Sequence, residues 1–214
     1  MTKLLAALFF ASLFGSSSAL AAAPAGASAA VQASNERVHA ALERYTKSKG
    51  PAKDKAREEA RSAVGALLDF DAIAKATMGK HWSELTPQQR KRYTDALRGA
   101  MEANYLSKME QGEIDVSKVR NEILGETKEG DRTIVKTKVQ AGKDSAEIDY
   151  VMVRGPKGWR AVDVITEGVS LVDTYKDQVN KLLPKKGVDG VISALERARK
   201  RIEEESAQRQ TASK

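Results

Sequence analysis

Two acidic residues, Asp163 and Glu167, come closer than any others in this chain to the type and spacing of a reactive centre. They lie four residues apart in the segment AVDVITEGVSLVDTYKDQVNKLL, between an apolar run and an amphipathic helical pattern. Paired carboxylates can act as general acid and base when a pocket separates their pKa values. One hypothesis is therefore a small-molecule enzyme that uses Asp163 or Glu167.

A structural role is the favoured interpretation of the same segment. Asp163 interrupts an apolar strand pattern, so we expect it to accept buried hydrogen bonds. Glu167 and Gly168 are expected to turn the chain between strand and helix. Ser170 is then a suitable N-cap, with Asp173 at the third helical position, where a carboxylate favours the helix dipole.

Other chemistry has little support in the sequence. There is no cysteine, and the two histidines, His39 and His81, lie on unrelated segments. The acids of the segment Asp69–Asp71 suit a helix N-cap better than a calcium loop. No hydrolase, metalloprotease or phosphate-binding motif occurs. We therefore predict no catalytic residue, no metal site and no cofactor.

The N-terminus has the pattern of a secretory signal peptide. Lys3 precedes the apolar stretch LLAALFFASLF, and small residues at Ala19 and Ala21 indicate cleavage after Ala21. The stretch is shorter than the roughly 20 residues of a membrane-spanning helix, so a membrane anchor is the less favoured alternative. Removal of residues 1–21 takes away one charge, Lys3, and leaves a net charge of +6. Export argues against a nucleic-acid partner for this basic chain.

The elements that must position these residues follow from periodicity. Apolar residues recur at helical spacing before about residue 112, and the clearest helix begins at Thr86 and Pro87, with Gln89 completing a capping box. Alternating patterns separated by glycine-bearing turns then predict four antiparallel strands. Two helices follow, the second after Gly187. The predicted fold is α+β, with helices packed on a curved four-stranded antiparallel sheet.

This organisation divides the chain into four parts. We expect a signal peptide at 1–21, a flexible lead-in at 22–34, one domain at 35–203 and a polar, frayed tail at 204–214. Within the domain, helices occupy about 35–112, the sheet about 115–166, and further helices about 170–203. On the third strand, Ile148, Tyr150 and Met152 are expected to share one face. On the last strand, Val162 and Val164 are expected to share a face opposite Trp159, Ala161 and Asp163.

Two blocks of the sequence resemble the MlaC family of periplasmic phospholipid shuttles, also described as toluene-tolerance auxiliary proteins of ABC transport. The first block contains Trp159, Asp163, the run Glu167–Ser170 and the run Gly187–Gly190. The second contains Gly79, Trp82, the run Thr86–Arg90, Tyr93 and Tyr105. The resemblance extends from Val38 to Arg197.

The resemblance implies a cofactor-free, exported carrier with an NTF2-like sheet and an apolar cavity for phospholipid acyl chains. It also implies a monomer that shuttles lipid between an outer-membrane lipoprotein–porin complex and an inner-membrane ABC transporter. A non-lipid adaptor of such a transporter, its interior filled by side chains, remains an alternative. The residues we expect to line the cavity are Tyr93, Leu97, Met101, Tyr105, Ile148, Tyr150, Met152, Val162, Val164, Leu171, Tyr175 and Val179.

Four basic clusters could dock on partner complexes or anionic headgroups. They are the segments 47–57, 90–92, 184–186 and 197–201. A solvated surface also explains such clusters and is the favoured interpretation.

Overall fold

The computed structural model describes residues 26–110, 118–142 and 144–212. The predicted signal peptide and the beginning of the predicted lead-in lie outside these residues. Within them, the elements are α1 (Ala27–Lys47), α2 (Pro51–Leu67), α3 (Phe70–Met78), a 3-10 helix (Gly79–Glu84), α4 (Pro87–Glu110), β1 (Val119–Glu129), β2 (Arg132–Ala141), β3 (Asp144–Gly155), β4 (Gly158–Thr166), β5 (Val169–Ser170) and α5 (Leu171–Ala212). The α+β class is confirmed. No helix in the described ranges is long and apolar enough to cross a membrane.

The predicted helix starts are formed by the expected side chains. At α4, the Gln89 amide oxygen accepts from the Thr86 backbone N–H at 3.0 Å, and the Gln89 N–H donates to the Thr86 hydroxyl at 3.2 Å. At α3, the Asp69 carboxylate accepts the Ala72 N–H at 3.0 Å. These bonds satisfy backbone donors that have no partner within the helix.

The sheet has five strands among the described residues, so the prediction of four strands is wrong. Its order is β1-β2-β3-β4-β5, and every neighbouring pair is antiparallel. The missed strand, β5, pairs Val169 with Thr166 and Ser170 with Ile165. The turn between them consists of Glu167 at φ 50° and Gly168 at φ 77°. Two successive positive φ angles match a tight hairpin turn, which folds the chain back onto β4.

Helix α1 begins inside the segment predicted to be a flexible lead-in, so that prediction is wrong from Ala27 onward. Its first turns bury Ala27, Ala30, Val31 and Ser34, and α1 contacts β1 to β4. Alanine is the best helix former, and small side chains let the helix approach the sheet closely. The composition that suggested a linker instead supports a packed helix.

The C-terminal region also differs from the prediction at its end. Gly187, at φ 62° and ψ −176°, divides α5 into the two helical stretches that were expected. The second stretch continues to Ala212 rather than giving way to a frayed tail. Ser206 is buried, and Arg209 donates to the Ser107 hydroxyl at 3.3 Å. The polar tail is therefore helical because it packs along α4.

Candidate functional site

Asp163 joins the end of the sheet to the beginning of α5. Its Oδ1 accepts the N–H groups of Val164 at 2.8 Å and Val172 at 3.0 Å, and its Oδ2 accepts the Ser170 hydroxyl at 2.6 Å. The Ser170 oxygen in turn accepts the Asp173 N–H at 3.0 Å. Asp163 is therefore a structural acceptor, and together with Ser170 it binds backbone donors at the start of α5.

Glu167 also has a structural contact. Its Oε1 accepts the Glu147 N–H at 2.6 Å, and its own N–H donates to the Glu147 carbonyl at 3.0 Å. Glu167 thus extends the pairing of β3 with β4 by one residue, into the turn. The two acids bind different backbone partners, and neither lines the apolar cavity described next, so the geometry does not support their use as an acid–base pair.

A cavity of about 280 Å³ lies between the sheet and the helices. All five helices, α1 to α5, contribute to its wall, together with strands β3 and β4. Its lining is mostly apolar and consists of Ser34, Asn35, Val38, Val64, Leu67, Leu68, Phe70, Met101, Glu102, Asn104, Tyr105, Ile148, Tyr150, Val164, Thr166, Leu171 and Tyr175. Apolar walls of this kind favour an apolar ligand.

Seven of the twelve residues expected to bind lipid are brought together at this cavity. They are Met101, Tyr105, Ile148, Tyr150, Val164, Leu171 and Tyr175. Four others, Tyr93, Leu97, Met152 and Val179, are buried in the core instead. On α4, the later residues Met101 and Tyr105 therefore line the cavity, while the earlier residues Tyr93 and Leu97 fill the interior.

The twelfth residue, Val162, lies at a β-bulge. Val151 pairs with Asp163 and Met152 pairs with Ala161, so Val162 has no partner on β3. Because paired residues share a face, Ala161 and Val164 lie on the same side as Met152 and Tyr150. The expected grouping of Val162 and Val164 opposite Ala161 is therefore wrong, since the extra residue breaks the alternation.

The prediction missed the wall formed by the first three helices. Val38 comes from α1, Val64 and Leu67 from α2, and Phe70 from α3, with Leu68 between the last two helices. The apolar group at the end of α2 was a visible signal. The position of this group against β4 was not visible in the sequence. It depends on the long-range bridge between Leu68 and Ala161 and on Arg160, which donates to the Leu68 carbonyl at 2.6 Å.

Several ionisable side chains in the cavity wall are desolvated. Burial raises the pKa of Tyr150 to about 12 and also raises the pKa of Tyr105 and Tyr175 above the usual value. Burial likewise raises the pKa of the Glu102 carboxyl, while nearby Arg61, at 3.6 Å, opposes this shift. The tyrosines therefore remain neutral hydrogen-bond donors at physiological pH.

The remaining candidate residues form surface or structural contacts. His81 Nδ1 lies 3.1 Å from the Glu84 carboxylate, and within the described ranges no cluster of histidine and acidic residues could hold a metal ion. In the basic cluster 90–92, Arg90 lies over the Trp82 ring and bonds the Trp82 carbonyl at 3.2 Å. Arg92 pairs with Asp189 at 2.8 Å, so this cluster has contacts within the domain.

Two comparisons place the chain among known proteins. A solved structure of a phospholipid-binding protein from Ralstonia solanacearum, in complex with a phospholipid, has the same fold with a TM-score of 0.72. The two chains are 21% identical, and the match covers 83% of this chain and 99% of the other. The family model described as MlaC protein matches residues 32–197. Since that match spans well over half of the sequence, the chain belongs to the MlaC family.

Proposed function

We propose that this protein is a non-catalytic carrier that binds the acyl chains of phospholipid in its apolar cavity. The observation that carries the proposal is the cavity of about 280 Å³ between sheet and helices in a member of the MlaC family. The phospholipid in the Ralstonia solanacearum structure of the same fold supports the choice of ligand. The carrier needs no reactive group, in keeping with the structural use of Asp163 and Glu167.

The physical purpose of such a cavity is to lower the cost of moving lipid through water. Exposing an acyl chain costs about 0.8 kcal/mol per CH₂ group, so two chains of membrane length cost more than about 20 kcal/mol. A protein that surrounds the chains removes much of this barrier. The seven predicted residues at the cavity, together with the wall formed by α1, α2 and α3, would supply the apolar contacts.

The cavity must widen to hold a whole phospholipid. Its volume of about 280 Å³ lies below the roughly 300–1,000 Å³ of pockets for drug-sized ligands, and two acyl chains need more. We propose that α1 moves away from the sheet during loading. The residues that its first turns bury are Ala27, Ala30, Val31 and Ser34. None is larger than valine, so their separation re-exposes less apolar area than that of a helix with large side chains.

The place of this carrier would be the periplasm, reached through the signal peptide at 1–21. There it would shuttle lipid, as a monomer, between an outer-membrane lipoprotein–porin complex and an inner-membrane ABC transporter. Among the basic clusters, 197–201 is one candidate for docking. The Lys200 and Arg201 side chains are 77% and 73% exposed, with glutamate partners at 3.6 and 3.9 Å, and exposed pairs of this kind are weak.

A pair of matched substitutions tests lipid binding. Val164→Trp places a large ring at the cavity wall, whereas Val169→Trp makes the same change at a side chain that is 63% exposed. We expect the purified wild-type protein and the Val169 variant to carry phospholipid, and the Val164 variant to carry little. Mass spectrometry of organic extracts measures the lipid, and circular dichroism confirms folding. Lipid-free wild-type protein across repeated preparations, and after incubation with vesicles, would favour an adaptor.

A further inference from the structure

One fully buried polar atom in the cavity wall has no partner among the described residues. The Nδ2 of Asn35 is buried and makes no hydrogen bond within the described residues, although Asn35 lines the cavity. Its neighbour Ser34, also in the wall, donates its hydroxyl to the Ala63 carbonyl at 3.4 Å. Buried donors are nearly always satisfied by protein, water or ligand, so an unpaired amide at a cavity points to a ligand that accepts hydrogen bonds.

Two tyrosines add donors to the same cavity. The hydroxyls of Tyr105 and Tyr150 make no hydrogen bond among residues 26–110, 118–142 and 144–212, and both side chains line the wall. Tyr93, a buried tyrosine outside the wall, differs because its hydroxyl lies 2.8 Å from that of Thr77. Among the described residues, the hydroxyls of Tyr105 and Tyr150 thus differ from that of Tyr93 in having no protein partner.

Asn35 lies where the apolar cavity meets a polar groove. It also lines a groove of about 530 Å³ whose other residues are Gln32, Glu36, His39, Val119, Arg120, Asn121 and Ile123. On the cavity side, Val38 lies one helical turn from Asn35 on the same face of α1. The amide thus marks a boundary between an apolar and a polar compartment.

We infer that the amide of Asn35, assisted by the Tyr105 and Tyr150 hydroxyls, binds an ester carbonyl oxygen of a diacyl glycerolipid. This inference rests on the proposed carrier function and adds to it a specific contact and a preference for ester-linked lipid. The ester groups of such a lipid lie between its acyl chains and its headgroup, and they accept hydrogen bonds without donating any. Acyl chains in the cavity and a headgroup in the polar groove place the esters at Asn35.

The inference is tested with two lipids that differ at the ester alone. Wild-type protein is incubated with vesicles that contain equal amounts of dipalmitoyl phosphatidylglycerol and its ether-linked dihexadecyl analogue. The protein is re-isolated, and the bound ratio is measured by mass spectrometry. The ether lipid lacks the carbonyl oxygen, so we expect the ester lipid to be preferred about five-fold, the effect of one hydrogen bond.

The variant Asn35→Leu keeps the number of side-chain heavy atoms and removes the main donor, so most of the preference for the ester lipid should be lost. Asn180→Leu is the matched control, because it makes the same change at an exposed amide on α5 that lies outside the cavity wall, and it should keep the wild-type ratio. Tyr150→Phe removes one hydroxyl with its ring intact, lowers the preference in part, and replaces Asn35→Leu if that variant fails to fold.

The outcomes separate the two proposals. Equal binding of both lipids by the wild-type protein, or an unchanged preference in Asn35→Leu, would overturn the ester contact and leave the carrier function standing. If Asn35→Leu does not fold, an unchanged preference in Tyr150→Phe has the same meaning. Binding of neither lipid by the wild-type protein would overturn the carrier function and the inference together.

Discussion

Replacement of Asp163 by alanine tests how the fold holds one wall of the cavity. The substitution removes an acceptor of three hydrogen bonds, from Val164, Ser170 and Val172, at 2.8, 2.6 and 3.0 Å. Hydrogen bonds to a charged group contribute about 1.5–3 kcal/mol each, and neighbouring bonds are not additive. Since the site is only partly buried, we expect a loss of about 3–5 kcal/mol in the free energy of unfolding.

The variant Asp163→Ala should also lose lipid. Leu171 and Tyr175 line the cavity from the first turns of α5, and Asp163 holds that end of the helix. Urea denaturation followed by circular dichroism measures the stability, and mass spectrometry of extracts measures the bound phospholipid. A loss of this size should lower the melting temperature by about 10 °C.

Asp173→Ala is the matched control. Asp173 lies in the first turn of the same helix, where its charge favours the dipole by about 0.3–1 kcal/mol. Asp163→Asn keeps the shape and one acceptor oxygen, so its loss should be intermediate. The reasoning would be refuted if the free energies of unfolding of Asp163→Ala and the control differ by less than about 0.5 kcal/mol, because the three hydrogen bonds would then contribute almost nothing.

Three further changes test other parts of the fold. Gly187→Ala should cost about 1–3 kcal/mol, because φ 62° and ψ −176° suit glycine almost alone. Gly155→Ala is the control, because open space surrounds that glycine. Equal denaturation midpoints of the two variants would contradict the strain expected at Gly187. Thr86→Ala removes the N-cap of α4 and should lower the free energy of unfolding by about 1 kcal/mol, measured in the same way. A loss equal to that of Gly155→Ala would count against this role of Thr86. Burial raises the pKa of Tyr93 from 10.0 to about 12. The stability that the neutral Tyr93 side chain contributes is therefore complete below pH 10 and is lost as the pH rises towards 12. In denaturant titrations, the free energy of unfolding of Tyr93→Phe should fall less over that pH range than that of the wild-type protein.

Local chemistry explains which parts of the fold could be predicted. The capping box of Thr86 and Gln89, the turn at Glu167 and the helix break at Gly187 depend on residues close in sequence. Each was therefore visible as a pattern. The joint at Asp163 was predicted for a similar reason, since the residues it binds lie within the next nine positions.

Long-range pairing explains the failures. The bulge at Val162 arises from the register between β3 and β4, and one extra residue reverses every face assignment beyond it. The wall from α1 to α3 depends on how Leu68 and Asp69 bind Ala161 on β4. Periodicity identifies the apolar side of each helix, yet it does not say which stretch faces a cavity and which fills the core.

The joint between sheet and α5 fixes the rotation of that helix as well as its position. Leu171 and Tyr175 are four residues apart, so they lie on one face and both reach the cavity. Each residue of an α-helix turns the direction of the side chain by about 100°. If the turn at Glu167 and Gly168 were one residue shorter or longer, neighbouring residues such as Val172 and the exposed Lys176 would face the cavity instead. A lysine among apolar walls would oppose the binding of acyl chains. The acids of this segment therefore serve the cavity by determining which apolar side chains reach it.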